Sequence, residues 1–152
     1  MDNNRKTFLP MKNLLVITLL FFSIGALAED NYRCKQYKVC HEDFNGCKTQ
    51  NLPLKYVSLL IDEDSIPKKF VYDGIELRSL KAKPPYDETR SLKFNEYRIS
   101  HEIIKPLGNN KETFYTVFDK VSLILKSVST NTNENGIKRE YLRSEYLCTK
   151  LN

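Results

Sequence analysis

Tryptophan is absent from this chain, and glycine (5), proline (6), histidine (2) and methionine (2) are all scarce. So little glycine and proline excludes a collagen-like or low-complexity chain. Two histidines leave little material for imidazole-based acid–base chemistry. No charge sign dominates: 24 Lys and Arg stand against 19 Asp and Glu, a formal +5 over 152 residues. That balance is too even to demand a polyanionic partner. Signatures that cradle phosphate are missing, with neither Gly-x-Gly-x-x-Gly nor a Walker-type loop, and no Gly-x-Ser-x-Gly nucleophile elbow occurs. What is present is a 41% hydrophobic share, enough for a packed core, in a length that suits one domain.

The N-terminal stretch carries an address. Arg5, Lys6 and Lys12 form a positive region, residues 14–27 run apolar without a charge, and Ala26-Leu27-Ala28 gives the small-x-small pattern before Glu29-Asp30. This is the layout of a cleavable secretory signal over 1–28, leaving 29–152 as a single domain. Met11 offers a second start within the same signal. The run falls short of the ~18 apolar residues a spanning helix wants, so no stable membrane anchor is expected after cleavage. Removing Arg5, Lys6 and Lys12 together with Asp2 lowers the formal charge from +5 to +3. The expected location is periplasmic or secreted. The bias toward lysine and asparagine is associated with AT-rich bacterial genomes.

Cys34, Cys40, Cys47 and Cys148 all lie beyond the signal. An even cysteine count in an exported chain reads as a disulfide framework, for which four cysteines allow three pairings. Cys40 and Cys47 flank a loop containing Asn45-Gly46, which can fold the chain back, so the expected pairs are Cys40–Cys47 and Cys34–Cys148. A metal reading of Cys34, Cys40, His41 and Cys47 fails on spacing, which lacks the paired knuckles of structural zinc. Adjacent Cys40 and His41 would also point to opposite faces of a strand. No metal and no cofactor is expected.

Downstream, alternating segments are separated by turn chemistry. Residues 54–61 read as a strand bounded by Pro53 and the acidic turn Asp62-Glu63-Asp64-Ser65. Residues 69–72 and 75–81 flank Asp73-Gly74, the strongest hairpin signal in the chain. Lys83-Pro84-Pro85-Tyr86 breaks the pattern, because proline cannot donate to a ladder. Residues 92–104 read as one strand with Tyr97, Ile99, His101 and Ile103 on one face. Residues 106–110 form a turn, 113–118 and 121–128 two strands around Asp119-Lys120, 131–136 a polar loop, and 138–150 the last strand, with Leu142, Tyr146 and Cys148 on one face. The expected fold is all-β: a small antiparallel barrel or sandwich of about seven or eight strands in a meander, stapled by two disulfides.

Catalytic constellations are not assembled by this pattern. Ser100, His101 and Glu102 are neighbours that a strand points apart, and paired cysteines leave no thiol nucleophile. The acids of residues 62–64 lack the alternating register and later glutamate of a calcium loop and read as solvated turn acids. Basic residues interleave with aromatics at residues 35–38 and 138–143, yet acids are scattered through the same chain, so nucleic acid is not an expected partner. The chain is expected not to be an enzyme.

The aromatic balance favours tyrosine, with nine. Tyr32, Tyr37, Tyr141 and Tyr146, with Arg143 beside them, fall near the two ends that the long disulfide would join. Tyrosine with arginine is a common make-up for a protein-binding surface, and the same tyrosines would equally fill a β core. In the last forty residues, under a third of the mature chain, the strand Phe118-Asp119-Lys120-Val121-Ser122, with Tyr146-Leu147-Cys148 near the end, resembles small periplasmic β domains, among them lysozyme inhibitors. Those inhibitors' Ser-Gly-x-x-Tyr loop has no counterpart, so no residue role is carried over. The expectation is a non-catalytic binding or accessory module that meets a protein or cell-envelope component. Alternatives are an inhibitor of an exported or host hydrolase, a barrel holding an apolar ligand, and a small hydrolase. The intact mass of the protein recovered from its host's envelope is expected to begin at Glu29 and to gain four hydrogens on reduction. A start upstream of Glu29 or an unchanged mass would count against this reading.

Overall fold

The computed structural model describes residues 29–42, 46–50, 52–81 and 87–151. The signal expected over 1–28 and the Lys83-Pro84-Pro85-Tyr86 break lie outside the described residues. Ten strands form one antiparallel sheet: β1 (Asp30–His41), β2 (Gly46–Lys48), β3 (Tyr56–Asp62), β4 (Lys69–Tyr72), β5 (Ile75–Leu77), β6 (Thr89–Phe94), β7 (Arg98–Leu107), β8 (Asn110–Asp119), β9 (Ile124–Thr132) and β10 (Lys138–Leu151). Their order is β5-β4-β3-β1-β10-β9-β8-β7-β6, with β2 pairing β1 beyond the end of β3. A bridge between Leu80 and Arg90 joins the two outer strands, through Leu80 N–H to Arg90 carbonyl at 2.9 Å and the reverse at 2.8 Å. The sheet is thus a nearly closed barrel. Two more strands are present than the upper sequence-based count, because short β2 and the split described below add elements.

The longer strands form where β-branched and aromatic residues alternate with polar ones, whereas short β2 is Gly-Cys-Lys. Val57, Leu59 and Ile61 of β3 point inward, as do Tyr32, Cys34 and Gln36 of β1. The Asp73-Gly74 turn has φ of 49° and 79° at its two residues, the positive values a two-residue hairpin needs, and it pairs Tyr72 with Ile75. Residues 92–104 are two strands. The Asn95 side-chain carbonyl accepts from the N–H groups of Tyr97 at 3.0 Å and Arg98 at 2.6 Å, a local turn that beats strand propensity. Tyr97 therefore leaves the Ile99–His101 face and is 59% exposed. The turn expected over 106–110 narrows to Gly108-Asn109, and the segment expected from residue 121 begins at Ile124, after Asp119 caps the N–H groups of Val121 and Ser122.

Inward residues form rings around the barrel. Phe94, Ile99, Phe118, Leu125, Tyr146 and Gln36 are successive cross-strand partners. Ile99, Phe118 and Leu125 are fully buried, and the Tyr32 and Phe118 rings lie 5.0 Å apart. Toward the opposite end, the next ring is Leu92, His101, Thr116, Ser127 and Ser144, then Arg90, Ile103, Phe114, Ser129 and Leu142. The interior thus runs from an apolar floor through a polar middle ring and a mixed one holding Ile103, Phe114 and Leu142 before it opens.

Both expected disulfides are present, Cys34–Cys148 and Cys40–Cys47. Each joins directly opposed residues, the first across β1 and β10, the second across β1 and β2. Cys34 and Cys40 have the same parity, so a regular strand would aim both inward. A bulge at Tyr37 shifts the register of β1 against β10 and reverses the alternation, so that Cys34 is buried and Cys47 exposed. Two disulfides in a domain of this size point to an oxidising compartment. The closures span 114 and 7 residues. Replacing both Cys34 and Cys148 by alanine should therefore lower unfolding stability by about 5 kcal/mol, against about 2.5 for the Cys40 and Cys47 pair. Urea unfolding of the two double variants checks this; equal losses would contradict the ranking.

Candidate functional site

The barrel mouth is an open cavity of about 610 Å³ lined by Glu42, Asn110, Glu112, Asn131, Asn133, Ile137, Arg139 and Tyr141. Part of its wall belongs to the ring that follows the three above, in which Glu112, Asn131 and Arg139 are successive partners and Lys105 stands across from Glu112. Turns supply the rest: Asn110 follows the Gly108-Asn109 turn, and Asn133 and Ile137 frame the loop before β10. That loop is held by the Asn133 side-chain carbonyl, which accepts from Asn135 N–H at 3.1 Å and Ile137 N–H at 2.9 Å.

Tyr141 reaches the mouth because it is the extra residue of a second bulge, where the pairing of β10 with β9 shifts between Glu140 and Leu142. Its hydroxyl donates to Glu112 Oε1. Burial and then this carboxylate hold the phenol above its ordinary range. Glu88 ion-pairs Arg90 and, at 3.3 Å, Lys105. Those two cations hold its carboxyl below the usual range although burial opposes them. The mouth therefore offers carboxylates, a guanidinium, side-chain amides and a phenol, donors and acceptors together, with Ile137 as the apolar element of the lining.

A second opening, about 670 Å³, lies on the seam between β5 and β6. Leu77, Leu92 and Phe94 form its apolar floor, with Lys68, Lys69, Glu76 and Arg78 around it. Beside it His101 is 2% exposed, and its Nε2 lies 3.3 Å from the Arg78 carbonyl, to which the neutral ring donates. His101 lines neither opening.

The structure separates the tyrosines grouped from the sequence. Tyr32 and Tyr146 belong to the core, 7% and 2% exposed, and form no part of a surface. Their parity with Cys34 and Cys148 explains this, since a cysteine staple inside the barrel carries its same-face neighbours inward. Gln36 Nε2 donates to the Tyr146 hydroxyl at 3.4 Å. Tyr37 stands on the outer surface at the first bulge, its hydroxyl donating to Glu145 Oε2 at 2.8 Å. Burial and that carboxylate push its pKa up to about 12. Arg143 is on the outer face and pairs Glu140 at 2.6 Å. Only Tyr141 of the five lines the mouth. Glu42, Glu112, Asn131 and Arg139 carried no sequence signal beyond the asparagine-rich turns that close one end of the meander. Among the described residues, no group of three or more His, Cys, Asp or Glu gathers as a metal site.

No protein-family model, curated protein or solved structure matches the chain.

Burial holds His101 below the ordinary imidazole range, and the Arg78 carbonyl opposes this only in part. The unfolded chain therefore takes up the proton first as pH falls. The stability this confers is complete above the unfolded value of about 6.5 and is lost progressively below it, toward the folded value. A His101→Gln variant should lack this component. Urea midpoints measured between about pH 7.5 and 5 should fall more steeply for the wild type than for the variant, and parallel curves would refute the assignment.

Proposed function

We propose that the protein is an exported, non-catalytic binding module whose mouth receives a polar group from a protein or envelope component. The observation that carries this reading is the contrast between the two ends of the barrel. One end is filled by Tyr146, Phe70, Phe118 and Leu59, so it serves stability, while the other opens as a cup of unlike hydrogen-bonding groups. Small sites with several convergent polar groups on a rigid scaffold favour recognition. The Tyr141–Glu112 contact fixes two of these groups before any ligand arrives, which reduces the entropy lost on binding.

Export is supported by the residues 14–27 run with Ala26-Leu27-Ala28 and by the disulfides, and a periplasmic or secreted location follows from it. The ligand class that suits the lining is one rich in hydroxyl or amide groups, a glycan or a polar protein loop, since each polar wall residue can pair with either.

The test is affinity capture from the host's envelope fraction with wild-type protein and with an Arg139→Gln, Asn131→Ala variant. A partner retained by the wild type should be recovered at least about tenfold less by the variant, a loss typical of removing central polar anchors. The melting temperature should stay unchanged, because both side chains line the rim. Equal recovery by the two proteins would move the binding surface away from the mouth.

A further inference from the structure

The seam between β5 and β6 is an unzipped ladder. Arg90 directs both its N–H and carbonyl to Leu80, so by antiparallel alternation Leu92 and Phe94 aim theirs into the same gap. Leu92 N–H is met there by the Ser79 hydroxyl at 2.9 Å. On the facing side, the two-residue turn makes Tyr72 and Ile75 the hydrogen-bonded pair, which directs the backbone of Glu76 away from β4 and into the gap. The pairing that starts at Leu80 and Arg90 would next join Arg78 with Leu92 and Glu76 with Phe94. It does not: the Arg78 carbonyl is taken by His101, and among the described residues no β5–β6 ladder forms beyond the single bridge. Among the described residues, the Phe94 N–H and carbonyl are thus left as an open strand edge above an apolar floor.

Three features say what this edge takes. The floor of Leu77, Leu92 and Phe94 supplies a seat for apolar side chains in a slot of about 670 Å³. Three cations line it, Lys68, Lys69 and Arg78, with the carboxylate of Glu76. Arg78 is paired with Glu76 at 2.6 Å, whereas Lys68 and Lys69 reach Glu63 and Asp62 only at 3.9 and 4.0 Å and stay about half exposed to a ligand. Lys68 Nζ sits 5.7 Å above the Phe94 ring. The loops before β4 and after β6 carry Ile66, 99% exposed, and Tyr97, 59% exposed. Lysines at an edge repel a second copy bearing the same lysines. They attract a strand of opposite charge.

We infer that the β5–β6 seam is a docking site for an extended acidic peptide segment of a partner protein, which adds as a strand to the free edge of β6 and places alternate apolar side chains on Leu77, Leu92 and Phe94. Backbone hydrogen bonds supply the affinity and the side-chain seats the selectivity. This site is separate from the mouth, and neither requires the other.

The experiment titrates nitrogen-15-labelled mature protein with acetyl-Glu-Val-Glu-Val-Glu-Val-amide and with the same peptide carrying lysine for glutamate. The acidic peptide should saturate, with shifts at residues 76–79 and 92–94 and slowed solvent exchange of the Phe94 amide. The lysine peptide should bind at least about tenfold more weakly, and a Lys69→Glu, Arg78→Glu variant should reverse that preference. The Arg139→Gln, Asn131→Ala mouth variant should bind the acidic peptide like the wild type. No saturation at millimolar peptide overturns the proposal, as does equal affinity for the two peptides. Shifts without slowed exchange at Phe94 overturn strand addition.

Discussion

The pairing of β1 with β10 is the constraint on which the molecule depends. Every other ladder joins strands consecutive in the chain, apart from β1–β3, which skips only the short β2. Only this one brings the first strand to the last and joins the two meanders into one sheet, which the Leu80–Arg90 bridge then nearly closes. Its loop closure is the largest in the chain and is the slowest kind of contact to establish. Cys34–Cys148 fixes it covalently within the core, and Lys150 adds an ion pair to Asp30 at its outer end. The two bulges lie on the same strands, at Tyr37 and Tyr141. They set which side chains face in, which face out and which reach the mouth.

Those bulges mark where reading a sequence by alternation stops working. The Asp73-Gly74 turn was legible because its requirement for positive φ is local to two residues. The disulfides were legible because a short loop and a meander leave few sensible pairings. Tyr37 and Tyr141 were not, since a bulge exists only relative to a partner strand. For Tyr32 and Tyr146 the composition left surface and core equally open, although their parity with the buried cysteines already favoured the core. Nearness to the chain ends did not decide between the two. The continuous strand over residues 92–104 failed for another reason: a single asparagine side chain satisfied two backbone donors and turned the chain.

The candidate site was the least legible part. Glu42, Glu112, Asn131 and Arg139 sit on four different strands or strand ends. Nothing in their spacing along the chain anticipates that the barrel would bring them to one rim. Had the topology been known, the clue was the coincidence of asparagine-rich turns at 109–110 and 133–135 at one end of the meander. The two openings also differ in kind. The mouth offers side chains to a ligand, whereas the seam offers backbone, and the neutral imidazole of His101 beside it occupies a carbonyl that would otherwise complete the ladder.

Because Asn31 lies directly opposite Leu151, the beginning and the end of the folded domain emerge side by side at the floor, while Glu42 and Arg139 belong to the far rim. A tether, tag or neighbouring domain attached at either end would hang from the filled side and leave the cup facing away from it. The barrel is thus oriented by its own ends, like a vessel fixed by its base, and attachment to a surface through one terminus would point its rim outward.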